Sequence, residues 1–200
     1  MEDIETFTLL PITIDPTSKA IITSSNSRPL NKQLSSLNEL HKTLLSIESP
    51  IPPPPVPVNP KRSAQITKLR ESGNASFKQG KHNDAIKMYT LGLQMALGRP
   101  LWEPCGLVRD EVAGLYANRA QAHMALSNWP EGSIDAEASI EAKKGANAKA
   151  WWRKGRCLME MGRLNEAKDW ISRGLEMEGS EADLVAILKD IEDKLKSKKA

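Results

Sequence analysis

The sequence predicts an all-α fold: a solenoid of three helix–turn–helix repeats closed by a capping helix and preceded by a small strand-plus-helix module. Three observations carry this. Small residues recur as Gly73-Asn74-Ala75, Ala120-Gln121-Ala122 and Gly155-Arg156-Cys157. A second small residue follows each block twelve positions on, at Ala85, Gly132 and Ala167. Seven of the eleven residues from Pro50 to Pro60 are proline, which separates these repeats from an N-terminal stretch of different character.

In that N-terminal stretch, Phe7, Leu9, Ile12 and Ile14 are interleaved with Thr6, Thr8 and Thr13. Asp15-Pro16-Thr17-Ser18 is turn chemistry, and Ala20-Ile21-Ile22-Thr23 can return as a second strand. Leu34, Leu37, Leu40, Leu44 and Ile47 then follow helical spacing, with Pro29 near the start. One hairpin and one amphipathic helix bury too little surface to stand alone. Residues 1–49 are therefore expected to be a partner-docking module, residues 50–60 a polyproline II spacer, and residues 61–200 the repeat domain.

Within the repeats, each pair of small-residue blocks brackets a turn: Gly80-Lys81, Ser127-Asn128 and Gly162-Arg163. Small side chains at two fixed places let paired helices approach closely. Larger landmarks align as Leu69, Tyr116 and Trp151, and as Tyr89, Ala136 and Ile171. The pattern resembles the tetratricopeptide repeat (TPR) over about 115 residues. From Ala85 to Gly132 is 47 residues, thirteen beyond the TPR period of about 34, while Gly132 to Ala167 is 35. The excess lies around Gly98 to Gly106 and reads as a loop or a lengthened helix start. Leu184, Ile187, Leu188, Ile191 and Leu195 form one apolar stripe, with Ser180 and Asp183 as a capping-box start. A solenoid needs such a helix to cover its last face.

Composition excludes several classes. Hydrophobic residues are 40%, charged residues 26%, and the net charge is +3, too small to imply nucleic acid. No apolar run approaches eighteen residues, so no membrane insertion is expected. Met1-Glu2-Asp3 lacks the basic stretch and apolar core of a secretory signal, so a cytosolic chain is expected. Cys105 and Cys157 lack C-x-x-C spacing and read as reduced thiols. His41, His82 and His123 have no H-E-x-x-H arrangement, and phosphate-loop and nucleophile-elbow motifs are missing. The chain is expected to be non-enzymatic, without metal or cofactor.

Chemistry concentrates on the first helix of each repeat. Arg70 and Asn74 are four apart and share one side of a helix; Asn118 holds the matching place in the second repeat; Lys149 and Arg153 are again four apart. Like charges at that spacing repel by roughly 0.2–0.5 kcal/mol, which an anion between them would relieve. The set resembles the carboxylate clamp of chaperone-binding TPR domains, K-x-x-x-N, N and K-x-x-x-R. Only Arg70 departs, as arginine for lysine, which keeps the charge and alters its geometry. The resemblance implies capture of the C-terminal Glu-Glu-Val-Asp tail of cytosolic heat-shock chaperones, with Phe77 and Gln121 as secondary contacts.

The whole arrangement of module, spacer, clamp and insertion is similar to the small cytosolic TPR subunits of fungal post-translational protein-translocation complexes at the endoplasmic reticulum (ER). That resemblance implies a chain held on the cytosolic face of the membrane by residues 1–49, docked on a membrane-anchored subunit. Two alternatives stay open. One is a soluble co-chaperone or mitochondrial-import adaptor using the same clamp. The other is an enzyme-targeting subunit that grips an internal peptide.

Overall fold

The computed structural model of the chain describes residues 10–45, 60–100 and 103–197, and of 43–45 the backbone alone. Phe7, Leu9, Ile47, the spacer as far as Asn59, Leu101, Trp102, Lys198 and Lys199 lie outside the described residues, as does the Leu44 side chain. The chain divides into two compact units, Met1–Pro57 and Val58–Ala200.

The first unit holds a two-stranded antiparallel hairpin, β1 Ile12–Ile14 and β2 Ile21–Thr23, with Ile14 opposite Ile21. Its turn is set by Asp15, whose carboxylate accepts the Thr17 and Ser18 amides at 2.7 and 3.1 Å. Those two amides lower the pKa of the Asp15 carboxyl. Helix α1 (Arg28–Leu45) covers one side of the hairpin, burying Leu30 and Leu34. Asn38 ties the helix to the sheet: its amide donates to the Ile21 carbonyl at 2.9 Å and accepts the Ile21 N–H at 2.7 Å. Leu10, Ile14, Ile22 and Leu37 remain exposed, an unusual load of large apolar groups for so small a body.

Among the described residues of the second unit seven helices run in order: α2 Pro60–Lys78, α3 His82–Leu97, α4 Cys105–Ala125, α5 Trp129–Ala142, α6 Ala148–Glu160, α7 Leu164–Glu178 and α8 Ala182–Ser197. Each packs on the next, and the first helices of the repeats, α2, α4 and α6, are also neighbours. Helix α2 begins at Pro60, where a missing amide hydrogen is harmless in the first turn.

The aligned small and large residues explain the pairing. A Cβ at Gly73 would lie 2.4 Å from the Tyr89 ring, and one at Gly155 would lie 2.3 Å from Ile171 Cδ1. In the first and third repeats, then, a glycine on the first helix receives the large side chain of the second. Where the second repeat has Ala120 and Ala136, both are fully buried. Gly80 and Gly162 turn their repeats at φ near +75°, and Ser127 takes the same left-handed region at φ +59°.

The insertion resolves into a short connection plus a long helix. Helix α4 spans 21 residues against 13 for α6. Arg99, 6% exposed, anchors the connection by pairing with Glu103, by donating to both Glu111 oxygens at 2.7 and 2.8 Å, and by donating to Ser63 Oγ at 2.9 Å. Arg62 adds a bond to the Gly98 carbonyl at 2.5 Å.

The expected Ser180 capping box does not form. Gly179, at φ +75°, redirects the chain, and the Glu181 N–H bonds back to the Gly179 carbonyl at 2.8 Å. The helix therefore starts at Ala182, and the Glu181 carbonyl takes its first bonds. Helix α8 still buries Leu184, Ile187 and Ile191 against the third repeat.

The two thiols differ sharply. Cys157 is fully buried and its thiol is pushed up to about 12 by burial, whereas Cys105 is exposed. Alkylation of the folded protein is therefore expected to modify Cys105 alone, as read by intact mass. Modification of both at equal rates would contradict the packing of α6.

Candidate functional site

The helices α2, α4 and α6 carry the residues that the repeat alignment singles out. Asn74 on α2 and Asn118 on α4 meet directly: Asn118 Nδ2 donates to Asn74 Oδ1 at 3.0 Å. The Tyr89 hydroxyl on α3 donates to the same oxygen at 2.8 Å. With its carbonyl oxygen taken by two donors, Asn74 leaves its own N–H groups for something else. On α6, Lys149 is exposed, while Arg153 one turn later is 9% exposed. Arg153 Nη2 donates to Gln121 Oε1 on α4 at 2.8 Å.

Arg153 is the electrostatic oddity of the molecule. Burial lowers its pKa, and only the field of the Tyr89 phenol opposes that shift. Among the described residues the two other buried cations have carboxylates: Arg99 has Glu103 and Glu111, and Lys154 has Glu137 at 2.6 Å; half-buried Arg119 likewise has Asp135 at 2.7 Å. Among the described residues Arg153 has a neutral amide instead. A desolvated charge without a counter-charge is costly, and an incoming anion would relieve it.

Arg153 opens into a groove of about 820 Å³, lined also by Gln121, Met124, Lys149 and Trp152 and by the carboxylates Glu178, Glu181 and Asp183; Arg70, Asn74 and Asn118 are not among its lining residues. Lys149 and Arg153 offer donors only, so that pair can hold an anion rather than activate one. Arg70 is exposed on α2, its guanidinium 3.8 Å from the point where a Cβ on Gly114 would sit, so it extends over α4. Phe77 lies apart from the groove lining: it is half-buried, 4.9 Å from the His82 ring, and packs against the core of the first repeats. His123 is held among packed groups, with Nε2 3.8 Å from Asp135 and its pKa lowered by burial.

Sequence reasoning overlooked the hydroxyl of Tyr89. The available signal was a tyrosine where the aligned repeats have Ala136 and Ile171, since packing alone does not require an oxygen.

Among the described residues no helix is long and apolar enough to cross a membrane, and no group of three His, Cys, Asp or Glu could hold a metal ion.

Comparison with known proteins agrees with this architecture. The tetratricopeptide repeat family matches residues 148–180, the span of α6 and α7. The ER protein translocation subcomplex subunit sec67 of Schizosaccharomyces pombe is 39% identical over 143 residues, covering 70% of this chain and 74% of that protein. One chain of the Saccharomyces cerevisiae Sec complex superposes with a TM-score of 0.71, over 94% of this chain and all of that one, at 23% identity. This is a likeness of fold. The second TPR domain of human RPAP3, in complex with the HSP70 peptide SGPTIEEVD, superposes with a TM-score of 0.55 over 66% of this chain and 98% of that one, at 28% identity.

Proposed function

This chain belongs to the family of the ER protein translocation subcomplex subunit sec67, and on that footing we propose that it is a non-enzymatic adaptor that brings cytosolic heat-shock chaperones to the translocation complex. The groove binds the free carboxyl terminus of a chaperone ending in Glu-Glu-Val-Asp. Lys149, Arg153 and Arg70 supply charge, Asn74 and Asn118 supply neutral donors, and Gln121 holds Arg153 until the peptide arrives. One observation carries the reading: among the described residues Arg153 is buried with a neutral amide, and no ion pair, as its partner, and it opens into the groove. The peptide bound to the similar RPAP3 domain, which ends in the same four residues, supports it.

The hairpin unit is the other end of the adaptor. Its exposed Ile14, Ile22 and Leu37 dock on a membrane-anchored subunit, which places the chain on the cytosolic face of the ER. Affinity isolation from a native extract separates the two ends. Lys149→Ala with Arg153→Ala is expected to lose the chaperones and keep the translocation subunits. Ile14→Asp with Ile22→Asp is expected to do the reverse. Loss of both partner sets from either variant would refute the division of labour.

A further inference from the structure

The groove beside Arg153 carries both signs of charge. Helix α6 contributes Lys149 and Arg153, and the junction of α7 with α8 contributes Glu178, Glu181 and Asp183. Two cations against three carboxylates leave the lining one negative charge in excess. A tail ending in Glu-Glu-Val-Asp brings carboxylates of its own, and a lining that served acidity alone would not carry that excess. Glu178 has a structural task, since its Oε1 accepts the Asn147 N–H at 2.9 Å and holds the start of α6. Glu181 and Asp183 have none of that kind. Both are exposed, and among the described residues neither side chain is in an ion pair or a hydrogen bond. Their position at the start of α8 suits carboxylates through the helix dipole. That accounts for their charge, but not for their sharing a groove with two cations.

The independent sign that an ion enters here is Arg153, which is 9% exposed in the same lining and bonds a neutral amide at 2.8 Å. A ligand that satisfies the whole groove carries both charges: an anion for Lys149 and Arg153, and a cation for Glu181 and Asp183. We infer that Glu181 and Asp183 are specificity-determining residues of the groove. They receive a lysine or arginine that the ligand carries a few residues before its carboxyl terminus, and they disfavour a tail that is acidic throughout. The inference rests on the carboxylate reading above and adds which carboxyl termini the groove admits. Selection of this kind works as much by exclusion as by attraction, because a like charge brought against the pair costs affinity.

Calorimetry of the full chain with free-acid peptides ending in Glu-Glu-Val-Asp tests it, with lysine, alanine or glutamate placed in turn at each of the three preceding positions. At one or more of those positions the wild type is expected to bind the lysine peptide about three- to tenfold more tightly than the glutamate peptide, with alanine between them. Glu181→Gln with Asp183→Asn keeps the size of both side chains and removes their charge. This variant is expected to bind the alanine and glutamate peptides more tightly and to level the series to within about twofold. A role confined to the helix end would lower the melting temperature and leave the ranking of the peptides intact, and that result overturns the inference. So does a wild type that binds the lysine and glutamate peptides equally at all three positions. Amidation of the alanine peptides tests the carboxylate reading separately. Equal binding of the free-acid and amidated forms overturns that reading, whereas a free-acid preference without any charge ranking overturns the inference alone.

Discussion

Replacement of Arg153 by methionine is expected to weaken binding of an acidic C-terminal peptide by roughly 1.5–3 kcal/mol, the worth of a hydrogen bond to a charged group. That is a loss of about ten- to 150-fold in affinity. The same substitution is expected to leave the melting temperature equal to or above that of the wild type. The two results belong together. Burial of a guanidinium without a carboxylate destabilises the free protein, and methionine fills similar volume without the charge. The variant gives up the bond to Gln121, worth about 1 kcal/mol, and escapes the larger penalty of an uncompensated ion. A residue that costs stability and supplies binding marks a functional position. Titration calorimetry and a thermal melt on one preparation check both halves. A melting temperature several degrees lower with peptide affinity unchanged would identify Arg153 as a structural ion instead.

Arg99 should behave in the opposite way. Arg99→Met takes away the guanidinium that buried Glu103 and half-buried Glu111 share, and breaking such a group from one side costs about 3–5 kcal/mol. For a unit of this size the melting temperature is expected to fall by roughly 10 °C or more. Adding Glu103→Gln and Glu111→Gln should recover part of the loss, because removing both sides of a buried pair is far milder than removing one. Peptide affinity of the protein that remains folded should change little, since Arg99 bonds Ser63 and Glu111 rather than any groove residue. Its role is to hold the connection after α3 onto α2 and α4. A melting shift below about 2 °C would mean that the cluster is already hydrated and does not clamp the connection.

These two arginines show where the sequence is legible and where it stops. Repetition of small residues is a direct signal, because Gly73 and Gly155 must admit Tyr89 and Ile171, and only a missing side chain permits that approach. Spacing also puts Lys149 and Arg153 on one face of a helix. Spacing cannot tell that the first stays in solvent while the second is desolvated, since burial depends on what α4 brings opposite. Arg99 is the same case: a basic residue in an apparent loop, whose partners Ser63 and Glu111 are distant in sequence. The capping-box motif at Ser180 is a short-range signal that lost to another, the left-handed turn at Gly179. The Tyr89 hydroxyl was legible only as an oxygen that packing does not need. Packing accounts for the aromatic ring at a repeat landmark and leaves the oxygen over, and only the geometry shows what that oxygen reaches.

Carboxylate capture is the central claim, and titration calorimetry of the full chain with a peptide ending in Glu-Glu-Val-Asp tests it most directly. The free-acid form is expected to bind in the micromolar range, near −8 kcal/mol, and more weakly as ionic strength rises, because added salt screens the charges of the groove. Amidation of the last residue should reduce that affinity at least tenfold. Equal affinity for the free-acid and amidated peptides, unchanged between low and high salt, would show that the groove reads an internal segment and not a chain end.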